Sequence, residues 1–213
     1  MEKYTEVSVS PSAIMTVSHK AFKGASWLAL FKLVSQVFSW TITIIIAKLL
    51  MPSDYGLFGM AIFVTGYAEL FSGLGLGSAI IQRNDLNKRE LSSIFWFALF
   101  VSLLFALSCF PISYLTARLF NNAGIIPLTQ SASIIFILSG LQIVPAALLQ
   151  KEMEFKKVGW VEMVSTCISS ILMLLIAYLG GGFWALMGGR MVRVFVSMVL
   201  LFLFCALRRF QQK

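Results

Sequence analysis

The sequence has few of the side chains that catalysis and metal binding require. Its only histidine is His19, which excludes a histidine-based metal site or a Ser-His-Asp triad built by this chain alone. The three cysteines, Cys109, Cys167 and Cys205, lie far apart in apolar runs, without a ligand partner at metal-binding spacing. We interpret them as small apolar fillers. No hydrolase, kinase or dinucleotide-binding motif is present, so the sequence predicts a protein that is not an enzyme and uses no cofactor.

Charged residues are also scarce. They make up 12% of the chain against 59% hydrophobic residues, whereas about a quarter of a soluble domain is charged. This composition predicts an integral membrane protein. The net charge of +8 does not indicate nucleic-acid binding, because the basic residues form short clusters between apolar runs. The N-terminus lacks a compact apolar core followed by a cleavage site, so we expect the first apolar run to remain as a membrane span.

Six apolar runs are each close to the roughly 20 residues that a helix needs to cross the hydrocarbon core. They predict an all-α, integral membrane six-helix bundle over residues 19–213, preceded by a polar cytoplasmic tail at residues 1–18. The connectors contain the proline, asparagine and glycine residues that end helices. The predicted spans are about 22–47, 57–82, 91–115, 128–149, 158–179 and 183–207.

The distribution of lysine and arginine predicts the orientation of the chain. Three of them lie in each of four segments: the N-terminal segment, the 83–90 loop, the 150–157 loop and the C-terminal tail. The connectors of the opposite side contain only Lys48 and Arg118. By the positive-inside rule, both termini and both basic loops are expected on the cytoplasmic side of the membrane.

Four charged residues are predicted to lie deep in the spans. A charge at membrane depth is costly and usually faces a bundle interior or a watery cavity, which makes it a functional candidate. Counted from the first residue of each span, the expected depths are roughly 10–18 Å for Lys32, Glu69, Arg190 and Arg193. Glu162 is expected only about 6 Å into the fifth span, and we place it near the interface.

Lys32 begins a polar stripe along the first helix, because polar residues follow it at intervals of three to four. Such a stripe faces protein or water and not lipid. Two interpretations remain open: Lys32 pairs with Glu69 to hold two helices together, or Lys32 binds a substrate. The other members of the stripe are Ser35, Gln36, Ser39 and Thr43.

Arg190 and Arg193 are three positions apart and therefore share a helix face, where they repel one another at low dielectric. An arginine pair of this kind favours an anion, and the preceding Gly188 and Gly189 allow a close approach. The alternative is that one arginine snorkels to the outer interface. Counted over all the spans, three cations against two acids favour an anionic passenger weakly.

Gly73, Gly75 and Gly77 resemble a phosphate loop only superficially. No strand precedes them, and neither GK[ST] nor GxGxxG completes the pattern. In a membrane helix, closely spaced small residues permit tight helix contact or a local break. We favour tight helix contact.

Three segments, in this order and spacing, resemble a known family. They are LLMPSDYGLFGMA (49–61), ELFSGLGLGSAIIQRNDLNKRELSSIFWF (69–97) and PAALLQKEMEFKKVGWVEMVS (145–165). They resemble the N-terminal half of Wzx-type polysaccharide transporters, or flippases, and among these the colanic-acid and teichuronic-acid exporters. The wider superfamily (MOP) also contains MATE drug antiporters and the lipid II flippase. One departure is Gly73, where the family often has an acidic residue.

The resemblance implies one lobe of a two-lobe, MATE-like transporter. Such a transporter moves an oligosaccharide on undecaprenyl pyrophosphate across the bacterial inner membrane by alternating access around a cationic cavity. The expected partners are the lipid-linked oligosaccharide, membrane lipids and a second six-helix lobe or partner chain, the chain itself being a fragment, a truncated gene product or a half-transporter. The candidate cavity residues are Lys32, Gln36, Glu69, Arg190 and Arg193. The alternatives are half of a cation or drug antiporter, and a membrane scaffold subunit without a passenger.

Overall fold

The computed structural model describes the backbone of residues 11–72, 76–83 and 87–211, and these residues form helices joined by short turns, with no strand among them. The all-α prediction is therefore confirmed. The helices are α1 (Pro11–Leu49), α2 (Pro52–Ser72), α3 (Leu76–Gln82), α4 (Lys88–Leu119), α5 (Ile125–Lys151), α6 (Phe155–Tyr178) and α7 (Phe183–Gln211).

Five helical segments in the described residues are long and apolar enough to cross a membrane. They match five of the six predicted spans. The remaining predicted span, 57–82, covers both α2 and α3, and residues 73–75 between them lie outside the described residues. A single membrane crossing there stays a prediction. The five segments are Ser26–Leu49, Arg89–Leu119, Ile125–Lys151, Phe155–Tyr178 and Phe183–Ala206.

The first helix begins earlier than the sequence predicts. Residues 11–18, assigned to a polar tail, form the first two turns of α1, and residues 1–10 lie outside the described residues. The expected cytoplasmic location of this segment stays a prediction.

Helices α1 and α6 pack side by side and run in the same direction. Gly24, in the first half of α1, faces the ring of Phe155 at the start of α6, and towards the last turns of both helices Ile46 shares an apolar cluster with Ala177. Between these points a Cβ on Gly159 would lie 2.8 Å from Phe31 Cδ2, so glycine is required for the close approach. Small residues at such contacts are how membrane helices come together.

Helix α7 returns antiparallel along α6 through a turn of three glycines. Gly180 and Gly182 have φ angles of +79° and +50°, in the left-handed region that glycine adopts without a Cβ penalty. Further along, a Cβ on Gly189 would lie 2.9 Å from Met173 Cβ, so this glycine lets α7 approach α6 closely. Helix α5 runs parallel to α7, as clusters around Leu128 with Met187 and around Leu149 with Leu201 show.

The two basic loops lie at the same end of the bundle. The Lys151 ammonium, at the end of α5, donates a hydrogen bond to the Arg83 carbonyl, which follows α3. Lys156 lies over the ring of Trp27 on α1, with Nζ 5.2 Å from the ring centroid. The Trp27 region of α1, the end of α3, the end of α5 and the start of α6 therefore lie at the same end of the bundle. This grouping is what the positive-inside assignment requires of loops on one side of a membrane.

Candidate functional site

A cleft of about 620 Å³ opens between α5, α6 and α7. Its volume lies within the range of about 300–1,000 Å³ that small-molecule sites occupy. Helix α3 contributes Gly77 to its wall, and apolar side chains of the three long helices form most of the rest. The polar and charged lining residues are Ser139, Gln142, Gln150, Glu162, Ser165, Arg190, Arg193 and Ser197.

Both predicted arginines line this cleft. Arg190 and Arg193 lie on one face of α7, as their spacing of three requires. The side chain of Arg193 is 52% exposed, whereas Arg190 is half-buried and also borders a small cavity beside Ala61 and Leu128. The two guanidinium groups thus face the same open space from neighbouring turns of a single helix.

Glu162 lies between two of the candidate cations. Its Oε2 is 3.7 Å from Lys32 Nζ, and its Oε1 is 3.9 Å from Arg193 Nη2. Each carboxylate oxygen therefore faces one cation, and the three residues connect α1, α6 and α7. Both distances exceed the 2.7–2.9 Å of a charge-assisted hydrogen bond, so these are loose ion pairs.

These ion pairs are open to their surroundings. The side chains of Lys32, Glu162 and Arg193 are 56%, 34% and 52% exposed. Exposed pairs in water contribute only about 0–1 kcal/mol to stability. The arrangement therefore holds three charged groups together without locking them, and a ligand can reach each of them.

The polar stripe of α1 divides between two environments. Ser35 is buried, and its hydroxyl donates to the Lys32 carbonyl at 3.0 Å. Gln36 and Thr43 are exposed, and the Thr43 hydroxyl donates to the Ser39 carbonyl at 2.8 Å. Neither Lys32 nor Gln36 is among the residues that line the cleft between α5, α6 and α7; Lys32 reaches the side of the cleft through its ion pair with Glu162.

Of the two acids predicted within the spans, the structure describes the side chain of Glu162 alone. The Glu69 side chain lies outside the described residues, so the proposed Lys32–Glu69 pair stays a prediction, while the acid that contacts Lys32 is Glu162. Helix α6 begins at Phe155, so Glu162 lies roughly 10 Å from the start of the helix, deeper than predicted, and its placement near the interface stays a prediction. Sequence reasoning missed Glu162 as a site residue. The signal that could have identified it is the presence of an acid in an otherwise apolar run.

The glycine segment also needs a correction. Gly77 borders the cleft, and a Cβ built on it would meet nothing within 4 Å. Tight packing is therefore wrong for this glycine, while Gly73 and Gly75 lie outside the described residues.

The charges around the cleft favour an anion. Among the residues that the structure describes here, Lys32, Arg190 and Arg193 carry three positive charges and Glu162 carries one negative charge, which gives a formal net charge of +2 for these four. An excess of one sign beside apolar walls raises the local concentration of the opposite ion. Gln142 adds a buried side-chain oxygen that accepts no hydrogen bond within the described part of the chain. This oxygen can accept a hydrogen bond from a ligand hydroxyl or from water.

Sequence comparison supplies the family. The profile of a family described as "Polysaccharide biosynthesis protein" matches residues 45–211, which run from the end of α1 through α7. The chain belongs to this polysaccharide biosynthesis protein family. The match includes Glu162, Arg190 and Arg193, while Lys32 lies before it.

Curated relatives are similar over most of this chain. The lipopolysaccharide biosynthesis protein WzxC of Escherichia coli K12 is 27% identical over 150 residues, 70% of this chain and 30% of the relative. The succinoglycan biosynthesis transport protein ExoT of Rhizobium meliloti is 26% identical over 176 residues, 83% of this chain and 36% of the relative. The teichuronic acid biosynthesis protein TuaB of Bacillus subtilis is 22% identical over 154 residues, 72% of this chain and 32% of the relative.

The comparisons confirm the resemblance to Wzx-type polysaccharide transporters. Together with the five apolar helices, they make the chain a multi-pass membrane protein. The chain spans about a third of the length of the curated relatives it matches. No solved structure matches it.

Proposed function

We propose that this chain is one lobe of a flippase that exports polysaccharide precursors. Its passenger is an oligosaccharide linked to undecaprenyl pyrophosphate, which crosses the bacterial inner membrane by alternating access. The observation that carries the proposal is that Lys32 and Arg193, from opposite ends of the chain, both pair with the Glu162 carboxylate at the side of an open cleft, which Arg190 also lines.

The chemistry of the cleft fits a pyrophosphate head with sugars attached. The planar guanidinium groups of Arg190 and Arg193 match phosphate oxygens in a bidentate manner, and Lys32 adds a compact positive charge. The side chains of Ser139, Gln142 and Gln150 on α5 offer hydrogen-bonding groups for sugar hydroxyls. In this assignment the cations hold the pyrophosphate, and α5 contacts the oligosaccharide.

The position of the cleft supports loading from the cytoplasm. Glu162 lies roughly 10 Å from the start of α6, at the end of the bundle where the two basic loops meet. If these loops are cytoplasmic, as the positive-inside rule predicts, the cations face the leaflet where lipid-linked precursors are assembled. A second lobe or partner chain would cover the open face, and rocking of the two lobes would expose the passenger to the other side.

The test is an export assay with the full-length protein in cells that lack their own exporter. We expect Arg193→Gln to lower export at least about 10-fold, because one lost charge-assisted phosphate contact costs about 1.5–3 kcal/mol. The matched control is Arg118→Gln, which removes an exposed arginine from the end of α4, outside the cleft. Membrane insertion is checked by quantifying each variant in isolated membranes.

Normal export by Arg193→Gln and by Lys32→Gln, with both proteins inserted, would overturn the cationic site. One observation favours a second candidate, a scaffold without a passenger: the Lys32–Glu162–Arg193 pairs also join three helices. A cation or drug antiporter is disfavoured, because the charged groups described at the cleft comprise three cations and one acid. A drug-efflux assay on the full-length protein separates that alternative.

A further inference from the structure

The Glu162 carboxylate occupies the place that an anionic ligand would take between Lys32 and Arg193. Its two oxygens face one cation each, at 3.7 and 3.9 Å, and Glu162 itself lines the cleft. We propose that Glu162 is the resident counter-anion of the cleft: it pairs with both cations in the empty state and releases them to a phosphate-bearing passenger. This role rests on the proposed function and adds a residue that determines which anions the site accepts.

The geometry of the two ion pairs suits the exchange of the Glu162 carboxylate for a ligand anion better than a permanent structural role. Both pairs are longer than hydrogen bonds, and all three side chains are about a third to a half exposed. Pairs of this kind are individually weak, so replacing one anion by another requires little rearrangement. The two cations come from α1 and α7, which pack on either side of α6, and an incoming anion can contact both without separating the helices.

A pyrophosphate competes well for these cations. A pyrophosphate linked to a lipid at one end and a sugar at the other carries about two negative charges and about four non-bridging oxygens, against one charge and two oxygens for a carboxylate. Arg190 adds a third cation one turn from Arg193 on the same face, lining the same cleft. A multiply charged passenger can use all three cations, whereas a neutral or singly charged molecule gains less than the internal carboxylate already provides.

This exchange makes two predictions about Glu162→Gln. The formal charge of the four residues rises from +2 to +3, so the affinity for a pyrophosphate should increase. Release of the passenger should become slower, because no internal carboxylate remains to pair with Lys32 and Arg193 again. Tighter binding combined with slower export is a signature that a purely structural ion pair would not give.

The experiment uses the purified full-length protein in lipid nanodiscs with farnesyl pyrophosphate as the probe and titration calorimetry as the readout. We expect Glu162→Gln to bind the probe about 10-fold more tightly than the unmodified protein, the size of effect that charge pairs produce at partly exposed sites. Farnesol is the uncharged comparison and should show no such gain. The matched control is Glu154→Gln, because Glu154, immediately before α6, pairs with Lys157 on the first turn of that helix at 3.5 Å and does not line the cleft.

The outcomes separate the two proposals. If Lys32→Gln and Arg193→Gln weaken binding while Glu162→Gln leaves it unchanged or weaker, the anion site stands and the counter-anion role is overturned. If none of the three variants changes the affinity, the proposed function fails together with the role of Glu162. Should Glu162→Gln unfold, Glu162→Asp retains the charge and lengthens both pairs, so its affinity is expected above that of the unmodified protein. Equal or lower affinity of a folded Glu162→Asp would then overturn the role.

Discussion

Two regions of the bundle contain polar side chains, and they use them differently. Around the cleft, charged groups of α1, α6 and α7 face each other at 3.7–3.9 Å and remain partly exposed. Between α4 and α5 the polar groups are uncharged: Ser102, Ser113 and Thr116 are each at most 4% exposed, and the Gln130 amide of α5 donates to the Ser113 hydroxyl at 3.4 Å. The Ser113 and Thr116 hydroxyls donate to carbonyls of their own helix, those of Phe110 and Ile112, at 2.6 and 2.9 Å.

The difference shows why a hydroxyl is easier to bury between membrane helices than a charged group. A serine or threonine can satisfy its hydroxyl with a carbonyl one turn earlier, so it can be buried against another helix like a small apolar residue. A charged group has no such local partner and must find one on another helix or on a ligand. The α4–α5 contact is therefore structural, and the cleft is where a passenger can act.

The largest effect on stability is expected at the contact between Gly140 of α5 and Ser102 of α4. A Cβ on Gly140 would lie 2.2 Å from Ser102 Oγ and 2.6 Å from Ser102 Cβ, so Gly140→Ala forces α4 and α5 apart. We expect a loss of about 2–3 kcal/mol of stability, in the range of overpacking. The measurement is thermal unfolding of the detergent-solubilised protein.

The matched control is Gly59→Ala in α2, where a Cβ would meet nothing within 4 Å. This change should be neutral or stabilising by up to about 1 kcal/mol, because alanine is the better helix former. Similar melting temperatures for the two alanine variants would show that the α4–α5 contact has room for a methyl group at position 140.

A smaller effect on stability, with a larger one on export, is expected from reversing a pair in the cleft. Lys32→Glu or Glu162→Lys alone replaces attraction with repulsion and should lower stability by about 1 kcal/mol. The double variant restores the Lys32–Glu162 attraction but leaves Arg193 facing a new cation, so recovery should be partial. Export should stay at least about 10-fold reduced in the double variant, because an anion at this site now meets a rearranged set of charges.

Export assays and thermal unfolding of the two single variants and the double variant measure both quantities. Recovery of export together with stability in the double variant would make the pair structural and favour the scaffold.

The smallest effect is expected from removing a self-satisfied hydroxyl. Thr116→Val keeps the shape of the side chain and removes a hydroxyl that bonds only within α4, to the carbonyls of Ile112 and Ser113. We expect a change within about 0.5–1 kcal/mol and unchanged export. A fall in export without loss of folded protein would show that the α4–α5 region takes part in transport and is not purely structural.

The sequence predicted more of the fold than of the site. Five spans and the clustering of the basic loops followed from hydropathy and charge counts. Among the site residues, Arg190 and Arg193 line the cleft as a shared face implies, and Lys32 lies beside them. Glu162 was not among the predicted site residues, because the predicted start of its helix was three residues late and put this acid closer to the helix end than it is.

The amino-acid sequence by itself determined that this protein is a helical membrane protein of the polysaccharide biosynthesis family, since helix length, hydropathy and family motifs are local properties of the chain. Only the tertiary structure decided that Lys32 contacts Glu162. That contact depends on α1 packing along α6, where Phe31 fits over Gly159 and leaves no room for a Cβ. Which helices become neighbours is decided by such complementarity of surfaces far apart in the chain, and hydropathy carries no information about it.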